Sequence, residues 1–170
     1  RCDLPFRQAR PTGPPSPAGS ATDREGLKLA VLALRRVVPG RIFLGGHSYG
    51  GRQASMLAAA EPGLADALLL LSYPIHPPRD PSKVRTAHFP TLRTPTFFVH
   101  GSSDPFGSLE EVEAARRLIP GATALLAVEG AGHELARGGP ASPRVMALAE
   151  RIVSGFLDWL RSRPAAGTGG

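Results

Sequence analysis

The sequence predicts an α/β protein with a doubly wound, mostly parallel sheet and helices on both faces. Short apolar segments of strand length alternate with amphipathic segments of helical length along the chain. The apolar residues at 67–71 run without interruption, which is typical of strands that helices cover on both sides. Proline and glycine pairs such as Pro39-Gly40 and Pro120-Gly121 mark the ends of the helical segments.

In the first half of the chain, residues 11–20 are rich in proline and glycine and predict an irregular loop. Thr22 and Glu25 match a capping box, so a helix is expected from there to Pro39. Residues 1–4 resemble the end of a strand, and this strand would be a later one, not the first, in a longer version of the fold. Two further elements follow the first helix: a strand at 41–44 and a helix at 51–60.

The second half repeats the alternation of strands and helices. Ser108 and Glu111 form a second capping box, which predicts a helix that ends near Pro120. The other predicted elements are strands at 67–71, 97–101 and 125–128 and a last helix at 143–161. We expect residues 1–163 to form a single domain and residues 164–170 to be a disordered tail.

Composition excludes several classes of protein. The net charge is +6, but the arginines are scattered and no nucleic-acid motif is present, so we expect no nucleic-acid partner. Cys2 is the single cysteine, which excludes an internal disulfide and favours the cytoplasm. No metal-ligand spacing and no apolar run of membrane length occurs, so no metal, cofactor or membrane is expected. The chain begins with arginine rather than methionine, so an upstream targeting segment can be missing.

The segment Gly46-His47-Ser48-Tyr49-Gly50 follows an apolar strand and precedes a helical stretch. A serine hydroxyl needs a sharp strand-to-helix turn to stand clear of the sheet, where a base can reach it. Glycines on both sides of the serine make such a turn sterically possible. The pattern therefore predicts a nucleophile elbow with Ser48 as the nucleophile, against the alternative of an ordinary exposed turn serine.

Two further residues follow in the order that a catalytic triad requires. Asp104 comes just after one predicted strand, and His133 comes just after the next. The carboxyl ends of parallel strands meet at one edge of a sheet, so these side chains are expected to converge on Ser48. His133 would be the general base and Asp104 the acid that orients it. Asp80 and Glu129 stay open as alternative acids.

These motifs resemble the α/β-hydrolase superfamily, in its dienelactone-hydrolase-like part. The narrower markers are Tyr73-Pro74-Ile75-His76-Pro77-Pro78 and Asp104-Pro105-Phe106-Gly107. They are most similar to a branch named after a subunit of an acetyltransferase complex (NSL) and a testis-expressed protein. The resemblance implies a serine hydrolase that acts on small-molecule ester or acyl substrates without a cofactor. It leaves the oligomeric state unknown.

Several other residues have expected roles at the site. The backbone N–H of Tyr49, the residue after the nucleophile, would donate to the oxyanion. The segment 74–95 should cover the site as a cap, and its His76 is a candidate for substrate binding. The basic residues of this cap favour a carboxylated substrate, or they form a solvated charged loop. His47 is expected to pack, and His100 is expected to support a loop through a hydrogen bond.

One part of the hydrolase pattern is missing. The second oxyanion donor of the superfamily usually lies in a loop after an earlier strand, and no such strand and loop precede Ser48. The N-terminal strands of the parent fold are therefore expected to be absent, which would weaken an enzyme. A catalytically idle, hydrolase-like scaffold that binds proteins stays the alternative function. Peptidase activity is less favoured, because the chain has no room for an accessory domain that selects peptides.

Overall fold

Four parallel strands form one sheet in the order β1-β2-β3-β4. A computed structural model describes residues 2–139 and 141–163 of the chain. The strands are β1 (Phe43–His47), β2 (Ala67–Leu71), β3 (Thr96–Gly101) and β4 (Thr123–Val128). Neighbouring strands stay in register to their ends, because His47 pairs with Leu71 and Gly101 pairs with Val128. All four carboxyl ends therefore lie at the same edge of the sheet.

Five α-helices and two short 3-10 turns connect or flank these strands in the described ranges. The helices are α1 (Pro5–Ala9), α2 (Ser20–Val37), α3 (Tyr49–Ala60), α4 (Leu109–Arg116) and α5 (Pro143–Ser162). The 3-10 turns are Pro17–Gly19 and Phe89–Thr91. No helix in the part of the chain that the structure describes is both long and apolar enough to cross a membrane.

Two hydrophobic cores lie on the two faces of the sheet. Successive side chains of a strand point to opposite faces, so Leu68 and Leu70 enter one core while Ala67 enters the other. The first core also contains buried residues of α2, α3 and α4, and the second contains Ile152 and Phe156 of α5. The predicted parallel sheet with helices on both faces is confirmed.

The structure corrects the predicted start of the first long helix. This helix begins at Ser20, directly after the Pro17–Gly19 turn, and Gly19 at its N-cap position offers no side chain to cap it. Thr22 is therefore already inside the helix, and the predicted capping box with Glu25 is wrong. Residues 2–4 form no strand, and the helix α1 follows them immediately.

The second capping box is confirmed. The Ser108 hydroxyl accepts from the Glu111 backbone N–H at 3.2 Å, and the Glu111 carboxylate accepts from the Ser108 N–H at 2.7 Å. Helix α4 ends at Arg116, a little before the predicted end. That residues 1–163 form a single domain stays a prediction, and the predicted tail at 164–170 lies outside the described residues.

Candidate active site

Ser48 lies in a strained turn between β1 and α3. Its φ of +52° falls in the left-handed region, which costs a residue with a side chain roughly 1–3 kcal/mol. The turn is tight enough that a Cβ on Gly46 would lie 2.6 Å from the carbonyl carbon of Gly50. A Cβ on Gly51 would lie 2.6 Å from the Gly46 oxygen. The geometry predicted for the elbow is thus present, and both glycines are required by close approach of the backbone.

The structure brings Ser48, His133 and Asp104 together at the carboxyl edge of the sheet. His133 Nε2 lies 2.8 Å from Ser48 Oγ, and His133 Nδ1 lies 2.9 Å from Asp104 Oδ2. With a neutral imidazole, Nδ1–H donates to the carboxylate, which leaves Nε2 as the acceptor for the serine hydroxyl. This arrangement can remove a proton from Ser48 and hold the resulting positive charge on the ring.

Asp104 is buried and remains ionised. Burial alone would raise its pKa, but hydrogen bonds from His133 and from the Phe106 N–H outweigh burial and hold the pKa below its usual value. The charged form therefore contributes stability above the ordinary aspartate pKa. That contribution is lost as the pH falls through the lowered pKa of the folded state.

Two aromatic side chains contact the His133 ring or its backbone. The Phe106 ring lies 4.2 Å from the His133 ring between centroids, at an angle of 31°. His47 Nε2 donates to the His133 carbonyl oxygen at 2.7 Å, so His47 fixes the loop that carries His133. The packing role expected for His47 agrees with this contact. The sequence offered no signal that Phe106 would lie over the ring.

The other candidate residues do not contact Ser48, although His100 Nε2 lies 3.6 Å from Asp104 Oδ2. His100 is fully buried, and its Nε2 donates to the Gly107 carbonyl at 2.8 Å, which confirms the predicted loop support. Asp80 accepts from Ser82 and Lys83, and Glu129 accepts from Ser102. Asp104 is the acid that contacts His133.

His76 is buried against the start of α4. Its Nδ1 lies 2.9 Å from the Pro77 carbonyl and its Nε2 lies 3.3 Å from a Glu111 carboxylate oxygen. The Pro77 carbonyl and then the Glu111 carboxylate raise the pKa of His76, because both favour the protonated ring against the effect of burial. Both ring nitrogens have protein partners, so these contacts give no support to the predicted role of His76 in substrate binding.

Tyr49 is the first residue of α3, where backbone N–H groups have no partner within the helix. The Tyr49 side chain has a separate contact, since its hydroxyl donates to Asp23 Oδ2 at 2.7 Å. Burial, followed by the hydrogen bond to Asp23, raises the pKa of Tyr49 to about 12. The other Asp23 oxygen accepts from the Phe6 N–H at 2.8 Å. Asp23 therefore ties both the N-terminal segment and the elbow to α2.

The sequence analysis missed Asp23, although a signal was present. Asp23 lies four residues before Leu27 and eight before Val31, on the face of α2 that enters the core. An acidic residue on a buried face needs a hydrogen-bond donor, because an unpaired buried charge is strongly destabilising. The position alone therefore predicts that a neighbouring element supplies donors to Asp23.

The Tyr49→Phe variant is expected to lose roughly 1–3 kcal/mol of the free energy of unfolding. The change leaves Asp23 Oδ2 buried without its donor, while the ring packing against Phe6 at 5.4 Å is kept. Denaturant unfolding followed by circular dichroism measures the difference. Tyr49→Phe combined with Asp23→Asn provides the control, and additive losses in the double variant would contradict the coupling.

A cavity of about 480 Å³ lies beside the elbow. Prolines of the N-terminal loop form one side, and Tyr49, Arg52, Pro74, Arg85 and Phe106 form the others. We call it the arginine cavity. Phe106 connects it to the His133 ring, and part of the predicted cap segment contributes to its wall. In residues 2–139 and 141–163, no three His, Cys, Asp or Glu side chains are grouped as metal ligands.

A parallel sheet that carries a serine on a strained turn between strand and helix defines an α/β-hydrolase architecture. A family model described as an alpha/beta hydrolase domain matches residues 16–157, and the chain belongs to this family. The match covers the described helices α2 to α4 and all four strands.

Solved structures share this fold at low sequence identity. An alpha-beta serine hydrolase homologue from Coxiella burnetii is 18% identical over 85% of this chain, with a TM-score of 0.64. Est1E from Butyrivibrio proteoclasticus is 16% identical over 84% of this chain and 72% of its own, with a TM-score of 0.63. A dienelactone hydrolase from Anabaena variabilis is 19% identical over 82%, with a TM-score of 0.61. The chain spans only 62% of the Coxiella protein and 60% of the Anabaena protein.

Proposed function

We propose that this chain carries the active site of a serine hydrolase that acts on small-molecule ester or acyl substrates. The observation that carries the proposal is the continuous contact from Asp104 through His133 to Ser48, at 2.9 and 2.8 Å. Both contacts lie within hydrogen-bond distance, as the transfer of the serine proton to His133 requires. Ser48 also occupies the strained turn that exposes a nucleophile.

In the proposed reaction, Ser48 Oγ attacks the ester carbonyl while His133 Nε2 takes the serine proton. The Tyr49 N–H donates to the oxyanion of the tetrahedral intermediate. His133 then returns the proton to the leaving alcohol, and an acyl group remains on Ser48. Water, activated by the same ring, releases the acid and restores the serine. Asp104 keeps the ring in the required tautomer and stabilises its cation.

Tyr49 supplies one oxyanion donor in this mechanism. In other enzymes, loss of one such donor reduces turnover by about 10²–10³-fold, so we expect the Tyr49 N–H to contribute an effect of that size.

A fluorophosphonate probe tests the nucleophile. We expect it to label the wild-type protein and to leave Ser48→Ala unlabelled, because only an activated serine attacks the probe. The matched control is Ser55→Ala, since Ser55 Oγ also contacts a histidine, His88 Nε2, at 2.8 Å, but is fully buried. Equal labelling of Ser48→Ala and the wild type would reject the proposal.

A protein-binding scaffold without catalytic activity is the second candidate. The feature that favours it is an exposed edge: Phe43 of β1, one of the two outer strands of the sheet, is 38% exposed. Exposed edge strands and apolar residues provide surfaces for partner chains. Ester turnover that depends on His133 would argue against this candidate.

We also propose the narrower placement in the branch named after the acetyltransferase-complex subunit and the testis-expressed protein. Its two marker segments contact one another, since the His76 backbone N–H donates to the Phe106 carbonyl at 3.1 Å.

We propose a reducing compartment, such as the cytoplasm, for this protein. The support is that the single cysteine of the sequence, Cys2, is free.

A further inference from the structure

We propose that the arginine cavity binds an anionic group of the substrate, a carboxylate or a phosphate, between the guanidinium groups of Arg52 and Arg85. This inference rests on the proposed function, because it assigns the substrate class of the same site. Both arginines line the cavity together with the apolar Pro74 and Phe106, and no acidic side chain lines it.

The positive charge in the cavity is not neutralised by the protein. No carboxylate in the described ranges forms an ion pair with Arg52 or Arg85. Arg52 Nε is buried and has no hydrogen-bond partner there. Asp23 holds the Tyr49 hydroxyl and the Phe6 N–H, and it forms no ion pair with either arginine. An anion bound in the cavity would supply the countercharge that these two side chains lack.

The neighbouring groups respond to this charge. Burial and then the charge of Arg52 lower the pKa of Arg85 below its ordinary value. Burial, Arg52 and Arg24 lower the pKa of His88 to about 4, so that ring is neutral at physiological pH. Guanidinium groups that repel each other gain the most from an anion placed between them, and their planar donors match a carboxylate or phosphate.

The backbones of both arginines are fixed relative to the nucleophile. The Arg52 backbone N–H donates to the Ser48 carbonyl at 3.0 Å, so residue 52 lies one helical turn from Ser48. The Arg85 carbonyl accepts from the hydroxyl of the fully buried Tyr73 at 2.7 Å, and its N–H donates to the Ile75 carbonyl at 2.7 Å. Because Tyr49, the residue after Ser48, also lines the cavity, a substrate held there would have its anionic group beside the elbow.

The other basic residues of the segment 74–95 do not take part. Lys83 pairs with Asp80 at 2.7 Å, and Arg79 and Arg93 are exposed and do not line the cavity. Arg85 is therefore the arginine of this segment that lines the cavity. The sequence alone indicated only that the segment as a whole is basic.

A pair of matched esters tests the proposal by turnover. Mono-p-nitrophenyl glutarate ends in a carboxylate, and p-nitrophenyl 5-methylhexanoate has an uncharged isopropyl group of similar size at that position. We expect the wild type to prefer the charged ester in kcat/KM. In Arg52→Gln and Arg85→Gln the ratio of the two kcat/KM values should fall roughly ten- to a hundredfold, as hydrogen bonds to a charged group are lost.

The ratio cancels any loss of folded protein, because both esters are measured on the same sample. The matched control is Arg79→Gln, which removes one charge from the same segment and should leave the ratio unchanged. A ratio in Arg52→Gln and Arg85→Gln equal to that of the wild type would overturn the proposal.

A binding measurement separates this inference from the proposed hydrolase activity. Calorimetric titration of Ser48→Ala with glutarate, and in a second arm with inorganic phosphate, needs no turnover. Tighter binding of glutarate assigns a carboxylate, and tighter binding of phosphate assigns a phosphate, provided that Arg85→Gln in the same background weakens it. Binding to Ser48→Ala, together with no ester turnover by the wild type, would reject the hydrolase and keep the anion site. Absence of binding in both arms, or binding unaffected by Arg85→Gln, would reject the site.

Discussion

The His133→Ala variant is expected to lose ester turnover on the order of 10⁴- to 10⁶-fold. The imidazole is the group in contact with both Ser48 Oγ and the Asp104 carboxylate, so its removal leaves no base for the serine proton. Steady-state hydrolysis of p-nitrophenyl butyrate measures the loss. Asp104→Asn should lose about 10⁴-fold, because an amide favours the wrong tautomer of the ring.

Two controls accompany this experiment. Free imidazole added to His133→Ala should restore part of the activity, because the cavity left by the ring lies beside Ser48. Thermal unfolding should show that the variant remains folded, since the ring is partly exposed at the edge of the sheet. A folded His133→Ala protein with wild-type turnover would exclude the proposed mechanism and favour the scaffold.

The convergence of Ser48, Asp104 and His133 was predictable from the sequence because it follows from topology. In a parallel sheet the carboxyl ends of all strands share one edge, so residues just beyond predicted strands must lie near one another. The apolar runs identified those strands without knowledge of their order. The strained turn was predictable for a local reason, because glycines on both sides of a serine directly after a strand allow the sharp turn that a nucleophile elbow needs.

The residues that position this site were harder to predict, because their contacts depend on side chains from distant segments. Asp23 lies in α2 but holds Tyr49 and the N–H of Phe6. His47 holds the carbonyl of His133, and sequence periodicity carries no information on such a pairing. Arg52 and Arg85 come from a helix and an irregular segment, so their shared cavity is visible only in three dimensions.

The predicted boundaries of local elements were wrong where sequence propensity and tertiary contacts disagree. The first strand was predicted to end at Leu44, before two glycines of low strand propensity, but it continues to His47. Pairing with β2 sustains it, since Gly46 lies opposite Leu70 in the ladder. The predicted capping box at Thr22 was wrong, because the helix begins at Ser20, directly after the Pro17–Gly19 turn.

The Gly101→Ala variant is expected to reduce ester turnover about 10²-fold and to destabilise the fold, although residue 101 takes no part in the chemistry. Gly101 is the last residue of β3 and is buried. A Cβ there would overlap the Ala131 carbonyl oxygen and would lie 2.7 Å from the Gly132 oxygen. These are backbone atoms directly before His133, so the chain must move to accept a methyl group.

Such a movement separates His133 from Ser48, which now lie 2.8 Å apart between Nε2 and Oγ. A displacement of about 1 Å in a catalytic group can cost about 10²-fold in rate, and overpacking typically costs about 1–3 kcal/mol in stability. Hydrolysis of p-nitrophenyl butyrate and thermal unfolding measure the two effects. The matched control is Gly132→Ala, next to His133, where a Cβ would lie 3.8 Å from the Ser103 oxygen, an ordinary contact distance. Wild-type activity in Gly101→Ala, or an equal loss in both variants, would show that this close approach does not position the histidine.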